Sequence, residues 1–359
     1  MKILHILQLG IGNVGGSFVR QFIARQEKVK KELGIGLKYS ALFNSKNGEF
    51  KKSGFSTEEV ENLIIKLKRE KFENTNKRLL HAISDSPAPF ALLDLTASDD
   101  TLPFLKLALD KGGYIVLSNK KPLAGRLKDF NDLHRIGKMR LFYETVVGAG
   151  LPVIQTLKNL IETGDEIIEI NGCFSGTLGF ICSQLSEGKL FSEAVLEAKN
   201  KGFTEPDPRD DLSGLDVARK ALIISRIIGQ KSELKDIEIT GLYPVGMQKL
   251  SLPDFLLRLK DLDHFYKRKV KQAKKKNKAL RYVAKINPIE FSVKLQEVDA
   301  LSDIGSLKGP DNLILFKTKR YFRNPLVIKG PGAGGEVTAA GVFADILSIA
   351  KIVKGGFYE

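Results

Sequence analysis

Cysteine is scarce in this sequence, with only Cys173 and Cys182 among 359 residues. So few cysteines exclude a disulfide framework and a cysteine-rich zinc site, and they favour a reducing compartment. The sequence also lacks any apolar run near the length of a membrane-spanning helix, which needs about 18 residues or more. The opening residues MKILHILQLG do not divide into the cationic, apolar and cleavage regions of a signal peptide. These absences predict a soluble cytoplasmic protein with no membrane partner.

Acidic residues are outnumbered by basic ones, 42 against 57, which gives a formal net charge of +15. Much of the excess lies in KRKVKQAKKKNK, from Lys267 to Lys278, which holds eight Lys or Arg residues and no acid. Aromatic residues, which stack on bases in single-strand binding proteins, are not interleaved with these cations. We therefore interpret the run as the solvated face of a helix or a loop and expect no nucleic-acid partner. A nucleic-acid patch is the alternative.

The length of the chain exceeds that of a single core, and its composition, 43% hydrophobic and 28% charged, is globular. Strand-like and helix-like segments alternate through the first 146 residues. This alternation predicts right-handed crossovers and a mostly parallel, doubly wound sheet of Rossmann type, an α/β fold. The predicted strands begin at Met1, Leu37, Phe90, Tyr114 and Leu141, and the predicted helices cover about 14–33, 101–111 and 127–136.

The pattern changes after about residue 147. Helices are predicted near 154–162, 178–187, 191–201 and 215–228, with a strand in EIIEINGCFSGT. The runs ALRYVAKI, FSVKLQEV, NLILFKTK and PLVIKG then predict a second sheet. We therefore expect a first domain over residues 1–146, completed by a C-terminal helix within 334–359, and a second α+β domain over 147–333.

Three glycines directly follow the first predicted strand and open the first predicted helix. Gly10, Gly12 and Gly15 form G-x-G-x-x-G, with Asn13 and Val14 between them. The first glycine permits a tight turn, the second lets the backbone approach a pyrophosphate, and the third lets the helix pack against the strand. The helix N-terminus supplies N–H groups to the phosphates. This context predicts a dinucleotide-binding domain, with an ordinary glycine-rich turn as the alternative.

The end of the second predicted strand bears on the choice of nucleotide. An acid there accepts hydrogen bonds from the free ribose hydroxyls of NAD and repels the extra phosphate of NADP. This sequence has Asn44, Ser45 and Lys46 at the strand end. We therefore predict NADP, or tolerance of both nucleotides.

The segment TEPDPRDDLSGLDVARK, Thr204 to Lys220, combines five carboxylates with three cations. Asp216 and Lys220 are four residues apart and share one face of the helix predicted to begin near Ser213. Spacing alone favours a plain helix surface, because such ion pairs are common and Ser213 to Asp216 resembles a capping box. The charges could instead bind a charged ligand.

Six motifs in order resemble those of the homoserine dehydrogenase family, over essentially the whole chain. They are NKKPLA, ETVVGAGLP, FSGTLGF, TEPDPRDDLSGLDVARK, SLKGPDN and GPGAGGEVTAAG. The resemblance implies an oxidoreductase of threonine and methionine biosynthesis that interconverts L-aspartate 4-semialdehyde and L-homoserine with NAD or NADP. It is closest to the short, fungal-like form, so we expect neither a fused aspartate kinase nor a regulatory domain. It also implies a homodimer whose contact lies in the second, catalytic domain.

The family's functional residues map onto named positions of this sequence. Lys220 matches the proton donor, Asp216 its catalytic neighbour, and Lys120 a second lysine near the nicotinamide and the substrate. Glu205 and Asp211 match substrate-binding carboxylates. The structural alternative for the lysines is a plain surface charge, as expected for Lys121.

The resemblance also implies a monovalent cation, usually sodium, in a structural role. Its ligands are the Glu144 carboxylate and the carbonyls of Val147, Ala149 and Leu151, hard oxygens that suit such an ion. A turn capped by Glu144 is the alternative.

Two further cofactor contacts are implied by the resemblance. Thr96 lies against the nicotinamide ribose and Gly334 closes over the cofactor. Glu336 departs from the small residue expected at its position, which puts the conformation of the final glycine loop in question.

The principal alternative to an enzyme is a non-catalytic regulator that binds a dinucleotide. In that hypothesis the glycine loop is a true phosphate loop, and the acidic segment serves a protein partner.

Overall fold

The apolar first residues form a central strand of a six-stranded sheet in the computed structural model, which describes residues 1–69 and 75–355. The strands of this sheet are β1 (Lys2–Leu9), β2 (Ile35–Phe43), β3 (Gly48–Phe50), β4 (Phe90–Asp94), β5 (Tyr114–Leu117) and β6 (Leu141–Phe142). Their order is β3-β2-β1-β4-β5-β6, and all pairings are parallel except that of β2 with β3. The predicted Rossmann-type sheet is confirmed. Because the strand order reverses between β1 and β4, the loops after these strands flank the crevice where such sheets bind ligands.

Helices follow most of these strands. They are α1 (Asn13–Leu33), α2 (Thr57–Arg69), α3 (Thr75–Asp85), α4 (Leu102–Asp110), α5 (Lys121–Ala124) and α6 (Leu127–Gly137). α1 buries Phe18, Val19 and Phe22 on one face, as its apolar spacing predicts, and ends at Gly34, which has a φ of +69°. The sequence patterns predict no element between residues 47 and 89, where the structure has β3, α2 and α3.

A second six-stranded sheet lies in the middle of the chain. Its strands are β7 (Ile167–Cys173), β8 (Glu238–Ile239), β9 (Lys278–Ile286), β10 (Phe291–Asp299), β11 (Asp311–Thr318) and β12 (Leu326–Pro331). The order is β12-β11-β7-β9-β10-β8, antiparallel throughout except for β8 with β10. All five strands predicted for this region are present.

The helices of the second unit are α7 (Val153–Glu162), α8 (Gly176–Glu187), α9 (Phe191–Asn200), α10 (Pro208–Leu212), α11 (Leu215–Ile227), α12 (Leu252–Arg258) and α13 (Asp263–Lys275). Helices α8, α11 and α13 contact β9. Helix α13 carries most of the basic run, and it buries Tyr266 and Ala273 while Lys267, Arg268 and Lys271 are exposed. The run therefore lies on the exposed face of a helix.

The chain returns to the first unit with its last helix, α14 (Gly335–Gly355). The structure divides into two compact units, residues 1–150 with the segment from Gly334, and residues 151–333. Helix α14 packs along α1, where the rings of Phe18 and Phe343 lie 6.2 Å apart. No helix among the described residues combines the length and apolarity needed to cross a membrane.

Glu336, which departs from the expected small residue, ties the start of α14 to α1. Its carboxylate lies 2.6 Å from the Arg20 guanidinium and accepts a 3.0 Å hydrogen bond from Gln21. Hydrogen bonds from Gln21, Arg20 and Ser17 lower the pKa of Glu336 to about 2. The acid therefore has a structural role at the surface, and the loop before it keeps a glycine, Gly334, with a φ of +112°.

A buried polar network supports the turn after β1. The Gln8 amide nitrogen donates to the carbonyls of Gly10 (2.8 Å) and Gly15 (3.2 Å), and its oxygen accepts from the Tyr39 hydroxyl at 2.6 Å. Gln8 and Tyr39 are at most 1% exposed. The Gln8 side chain of β1 thus fixes both ends of the glycine turn, and Tyr39 of β2 fixes the Gln8 side chain.

We expect Tyr39→Phe to lower the free energy of unfolding by about 1–3 kcal/mol, because the Gln8 oxygen then stays buried without a donor. Urea denaturation measures this loss. Tyr321→Phe is the matched control, since Tyr321 is 40% exposed and should lose little. Equal midpoints for the two variants would contradict the role of the network.

Candidate functional site

The three glycines of the loop meet different surroundings, in the way their predicted roles require. A Cβ on Gly10, which has a φ of +94°, would lie 2.6 Å from the Leu95 carbonyl oxygen. A Cβ on Gly15 would lie 2.1 Å from the Gly10 carbonyl oxygen. A Cβ on Gly12 would meet nothing within 4 Å. The outer two glycines are therefore needed for packing, whereas the space in front of Gly12 is open to a ligand.

The N-terminus of α1 fits the phosphates of a dinucleotide. Helix α1 begins at Asn13 with Gly12 as its N-cap, no side chain caps it, and its first turn contains no acid. Its first N–H groups therefore lack intrahelical acceptors and carry the positive end of the helix dipole. Asn13 is exposed and Val14 is half-buried in this first turn. The first unit thus has both the sheet and the loop of a dinucleotide-binding domain.

The turn after β2 contains no carboxylate. The Asn44 side-chain oxygen accepts from the backbone N–H groups of Lys46 and Asn47, both at 2.8 Å, and its nitrogen donates to the Leu67 carbonyl. Asn44 is therefore committed to the turn itself. Ser45 and Lys46 are exposed at its tip.

Thr96 and Lys120 flank a buried polar cluster at the ends of β4 and β5. Asp94, fully buried, accepts from the Thr96 hydroxyl at 2.7 Å and from the Asn119 amide at 3.0 Å. The Thr96 methyl group lies 3.2 Å from a Cβ placed on Gly10, so Thr96 borders the glycine turn. Lys120 follows Asn119 as the N-cap of α5, whereas Lys121 pairs with an exposed carboxylate, Asp99, at 2.6 Å.

Sequence reasoning overlooked Asp94 and Asn119. Both stand at the carboxyl ends of neighbouring parallel strands, a position at which polar side chains gather around a ligand crevice. Their placement at the strand ends could have identified them as candidate site residues from the sequence.

Gly334 stands directly before α14 and beside the phosphate loop. The next residue, Gly335, has no room for a side chain, since a Cβ there would lie 2.6 Å from the Asn13 side-chain oxygen. A Cβ on Gly334 itself would meet nothing within 4 Å. The final glycine loop thus adjoins the start of α1.

The turn predicted to hold a cation contains a left-handed non-glycine residue, Ala149, with a φ of +55°. The Glu144 backbone N–H donates to the Asp345 carboxylate, and Val147 and Ala149 are buried. Leu151 belongs to the second unit. Carboxylate and carbonyl oxygens suit a hard cation. Within residues 1–69 and 75–355, no cluster of three His, Cys, Asp or Glu side chains could hold a metal ion.

In the acidic segment, one pair of charges has a structural role. Asp207 caps α10 by accepting from the Arg209 N–H, and its carboxylate also binds the Arg209 guanidinium. Arg209 donates in addition to the Leu250 carbonyl at 2.7 Å. Pro208 occupies the first turn of α10. This pair fixes the turn before α10.

Lys220 is the most enclosed cation of the segment's described ion pairs. Its ammonium lies 2.8 Å from the Asp216 carboxylate and donates to the Phe174 carbonyl at 2.7 Å. The Lys220 side chain is 11% exposed and that of Asp216 is 43% exposed. The ammonium is thus sheltered and oriented by two oxygens, unlike a plain surface charge.

The capping box suggested by Ser213 to Asp216 is not formed. Helix α11 begins at Leu215, with Gly214 as its N-cap at a φ of +76°. The Ser213 hydroxyl accepts from the N–H of Leu215 instead. A side chain at 214 would collide with the Tyr282 hydroxyl, at 1.9 Å from a Cβ, so this position requires glycine.

Asp211 lies among polar groups of three segments. One carboxylate oxygen accepts from the Glu205 N–H at 2.8 Å, and the other lies 2.9 Å from the Thr177 hydroxyl. Burial raises the pKa of Asp211, the contacts with the Glu205 N–H and the Thr177 hydroxyl partly oppose this effect, and the nearby Glu205 and Asp216 carboxylates add to it, so that the pKa lies above its ordinary value. Thr177, at the start of α8, was not predicted as a site residue, although it lies in the FSGTLGF motif.

The second unit therefore brings Glu205, Asp211, Asp216 and Lys220 into one region, at the starts of α8, α10 and α11. The first unit holds the glycine loop, Thr96, Lys120 and Gly334 around the carboxyl ends of its central strands. The predicted residues thus form two groups, one fitted to a dinucleotide and one rich in carboxylates beside an ammonium.

Known proteins match this chain over nearly its whole length. The family model described as homoserine dehydrogenase matches residues 152–347. The bifunctional aspartokinase/homoserine dehydrogenase of Haemophilus influenzae is 37% identical over 96% of this chain, a match that covers 43% of that protein. The chain thus spans less than half the length of such bifunctional relatives. The homoserine dehydrogenase of Saccharomyces cerevisiae is 35% identical, and the match covers 98% of this chain and 99% of the yeast protein.

Solved structures agree with these matches. A protein of unknown function from Candida auris is 31% identical, with a TM-score of 0.87, 98% of this chain covered and 99% of that one. A putative homoserine dehydrogenase from Archaeoglobus fulgidus is 26% identical, with a TM-score of 0.78 and the same coverage. The resemblance found in the sequence motifs is confirmed, and this chain belongs to the homoserine dehydrogenase family.

Proposed function

We propose that this protein catalyses the NAD(P)-dependent interconversion of L-aspartate 4-semialdehyde and L-homoserine, a step of threonine and methionine biosynthesis. The observation that carries the proposal is the sheltered Lys220 ammonium, held between the Asp216 carboxylate and the Phe174 carbonyl. A general acid must stand at a fixed point to protonate an oxygen as charge develops on it. Family membership and the open phosphate loop support the same reaction.

The bound nicotinamide supplies or accepts a hydride. Reduction of the aldehyde then leaves an alkoxide-like oxygen on the substrate. Lys220 stabilises that oxygen and gives it a proton, and in the reverse direction it takes the proton from the homoserine hydroxyl. Asp216 keeps the ammonium oriented, and the family resemblance assigns Lys120 a catalytic role near the nicotinamide.

The carboxylates of the second unit suit the other end of the substrate. An amino acid carries an ammonium group, which binds best where carboxylates converge. Glu205 and Asp211 are joined by a hydrogen bond from the backbone of one to the side chain of the other. We assign these two residues to the ammonium group.

NADP is the favoured nucleotide in this proposal, because the turn after β2 presents Ser45 and Lys46 and no acid. Sodium at the Glu144 turn, with the carbonyls of Val147, Ala149 and Leu151, is proposed as a structural ion on the chemistry of those oxygens. A homodimer formed through the second sheet is proposed from the family resemblance. The cytoplasmic location stays a prediction.

The direct test is oxidation of L-homoserine with NADP or NAD, followed by the absorbance of the reduced nicotinamide. Turnover supports the proposal. Dinucleotide binding without turnover of homoserine would contradict it and favour the non-catalytic regulator.

Gly12→Val should abolish cofactor binding while leaving the fold intact. A Cβ at Gly12 meets nothing within 4 Å, so the branched side chain extends into open space and takes the place of the pyrophosphate. Fluorescence titration with NADPH and a melting curve measure the two effects. Gly246→Val is the control, because a Cβ at that glycine also meets nothing within 4 Å. NADPH affinity equal to the parent's in a folded Gly12→Val variant would remove the phosphate-loop assignment.

Replacing Ser45 by Asp and Lys46 by Ala should move the preference towards NAD, because the new carboxylate repels a 2′-phosphate. The ratio of kcat/KM with NADP to that with NAD measures the change. Lys52→Asp, a neighbouring exposed charge reversal, tests whether the selector lies further along the chain. An unchanged ratio in the first variant and a shifted ratio in the second would reassign nucleotide selection.

Lys220→Ala should lower turnover by about a hundredfold or more, the contribution typical of general acid catalysis, with nearly unchanged cofactor affinity. A plain helical ion pair would be worth only about 0.3–0.5 kcal/mol of stability. Steady-state homoserine oxidation and thermal melting separate these outcomes.

Lys28→Ala provides the matched control, since Lys28 and Glu32 form an exposed ion pair of the same helical spacing. Its turnover should equal the parent's. If Lys220→Ala kept most of its activity as well, with a normal melting curve, the catalytic role of Lys220 would be withdrawn.

A further inference from the structure

The Thr177 hydroxyl lies between two oxygen atoms, each of which could accept its proton in a hydrogen bond. It is 2.5 Å from the Phe203 carbonyl oxygen and 2.9 Å from the Asp211 Oδ1 atom. A threonine hydroxyl has one proton to donate, and a carbonyl oxygen can only accept. Only one of the two contacts can therefore use the hydroxyl proton.

The distances decide which contact uses it. Two oxygens 2.5 Å apart with no proton between them would repel each other, so the hydroxyl proton lies towards Phe203. The contact with Asp211 then lacks a proton unless the carboxyl group brings its own. The other carboxyl oxygen, Oδ2, accepts from the Glu205 N–H, which leaves Oδ1 as the protonated atom.

The charges around Asp211 favour its neutral form. The segment before α10 brings Glu205, and α11 brings Asp216 with Lys220, whose ammonium pairs with Asp216. The first turn of α8 brings Thr177 and no titratable side chain. On α10 itself Arg209 pairs with Asp207 and Asp210 is exposed. None of the ion pairs found within residues 1–69 and 75–355 includes Asp211.

We propose that Asp211 holds a proton in the empty site, with which it donates a hydrogen bond to the Thr177 hydroxyl, and that it releases this proton to water when the ammonium group of an amino-acid substrate binds. The second half of this proposal rests on the proposed function, whereas the first half does not. The exchange makes the ammonium group a requirement for binding. A ligand without it leaves the neutral acid in place, whereas a ligand with it must meet an ionised carboxylate.

Stability against pH tests the first half. In Asp211→Asn the amide nitrogen donates to Thr177 and the amide oxygen accepts from Glu205, so the variant reproduces the neutral acid. The folded parent holds its proton to a higher pH than the unfolded chain, in which aspartate ionises near pH 3.9. Between these two pKa values the contribution of Asp211 to the stability of the parent falls as pH rises, whereas the uncharged asparagine of the variant makes no such pH-dependent contribution.

The melting temperature of Asp211→Asn minus that of the parent should therefore increase as pH rises from acid towards neutral. Asp210→Asn removes one negative charge from the same short helix and is the matched control, because Asp210 is exposed. Its difference from the parent should not grow in this way. Equal slopes for the two variants would overturn the proposal.

Infrared difference spectroscopy tests both halves. The parent and Asp210→Asn should show the carbonyl stretch of a protonated carboxyl group above the ordinary pKa of aspartate, and Asp211→Asn should lack it. Saturating L-homoserine should remove this band, whereas 4-hydroxybutanoate, which lacks only the amino group, should not.

Absence of the band from the empty parent would overturn the proposal. If calorimetry shows that homoserine is bound and the band nevertheless persists, the release step alone is overturned. If the empty protein shows the band but does not bind homoserine, the protonation of Asp211 is supported, whereas the release step and the proposed function are both rejected.

Discussion

The ammonium group of a lysine side chain that is only 11% exposed needs oxygen atoms around it, and this requirement organises the acidic end of the second unit. Lys220 obtains one oxygen from the end of β7, through Phe174, and one from its own helix, through Asp216. The start of α11 must therefore lie close to the end of β7. Since α8 follows β7 directly, its first residue with a hydroxyl, Thr177, reaches the same place and meets Asp211. The carboxylates are brought together because one lysine is held between a strand end and a helix start.

The glycine loop of the first unit is held in a different way, because it depends on the absence of side chains at Gly10 and Gly15 and on the buried amide of Gln8. Gly10 and Gly15 cannot carry a Cβ, and Gln8 binds the carbonyls of both. The turn is thus rigid at its two ends and open at Gly12. Rigidity matters here because phosphate binding by backbone N–H groups leaves little freedom in the position of those groups.

Local patterns predicted the parts of the fold and site that short segments determine. The strand, the glycine turn and helix α1 were predicted because their residues are contiguous, and the shared face of Asp216 and Lys220 follows from helical spacing alone. The partners of Asp94 and Asp211 could not be found in this way, because Asn119 is 25 residues from Asp94 and Thr177 is 34 residues from Asp211. The capping box suggested by Ser213 to Asp216 is absent for a related reason. Tyr282, from a distant strand, fills the space beside residue 214 and requires glycine there, and the four local residues do not reveal that this glycine has a positive φ and caps α11.

The return of α14 to the first unit has a consequence for the order of folding. Its residues Val342, Phe343, Ile346 and Ile349 belong to the same core as Phe18 and Phe22 of α1, so this core joins segments that lie before and after the second unit in the sequence. During synthesis the ribosome delivers the whole second unit before α14 emerges. Until then the face of α1 that α14 covers lacks its partner, whereas all residues of the second unit are already available for folding. The first unit, which begins before the second unit in the chain, is thus completed after it.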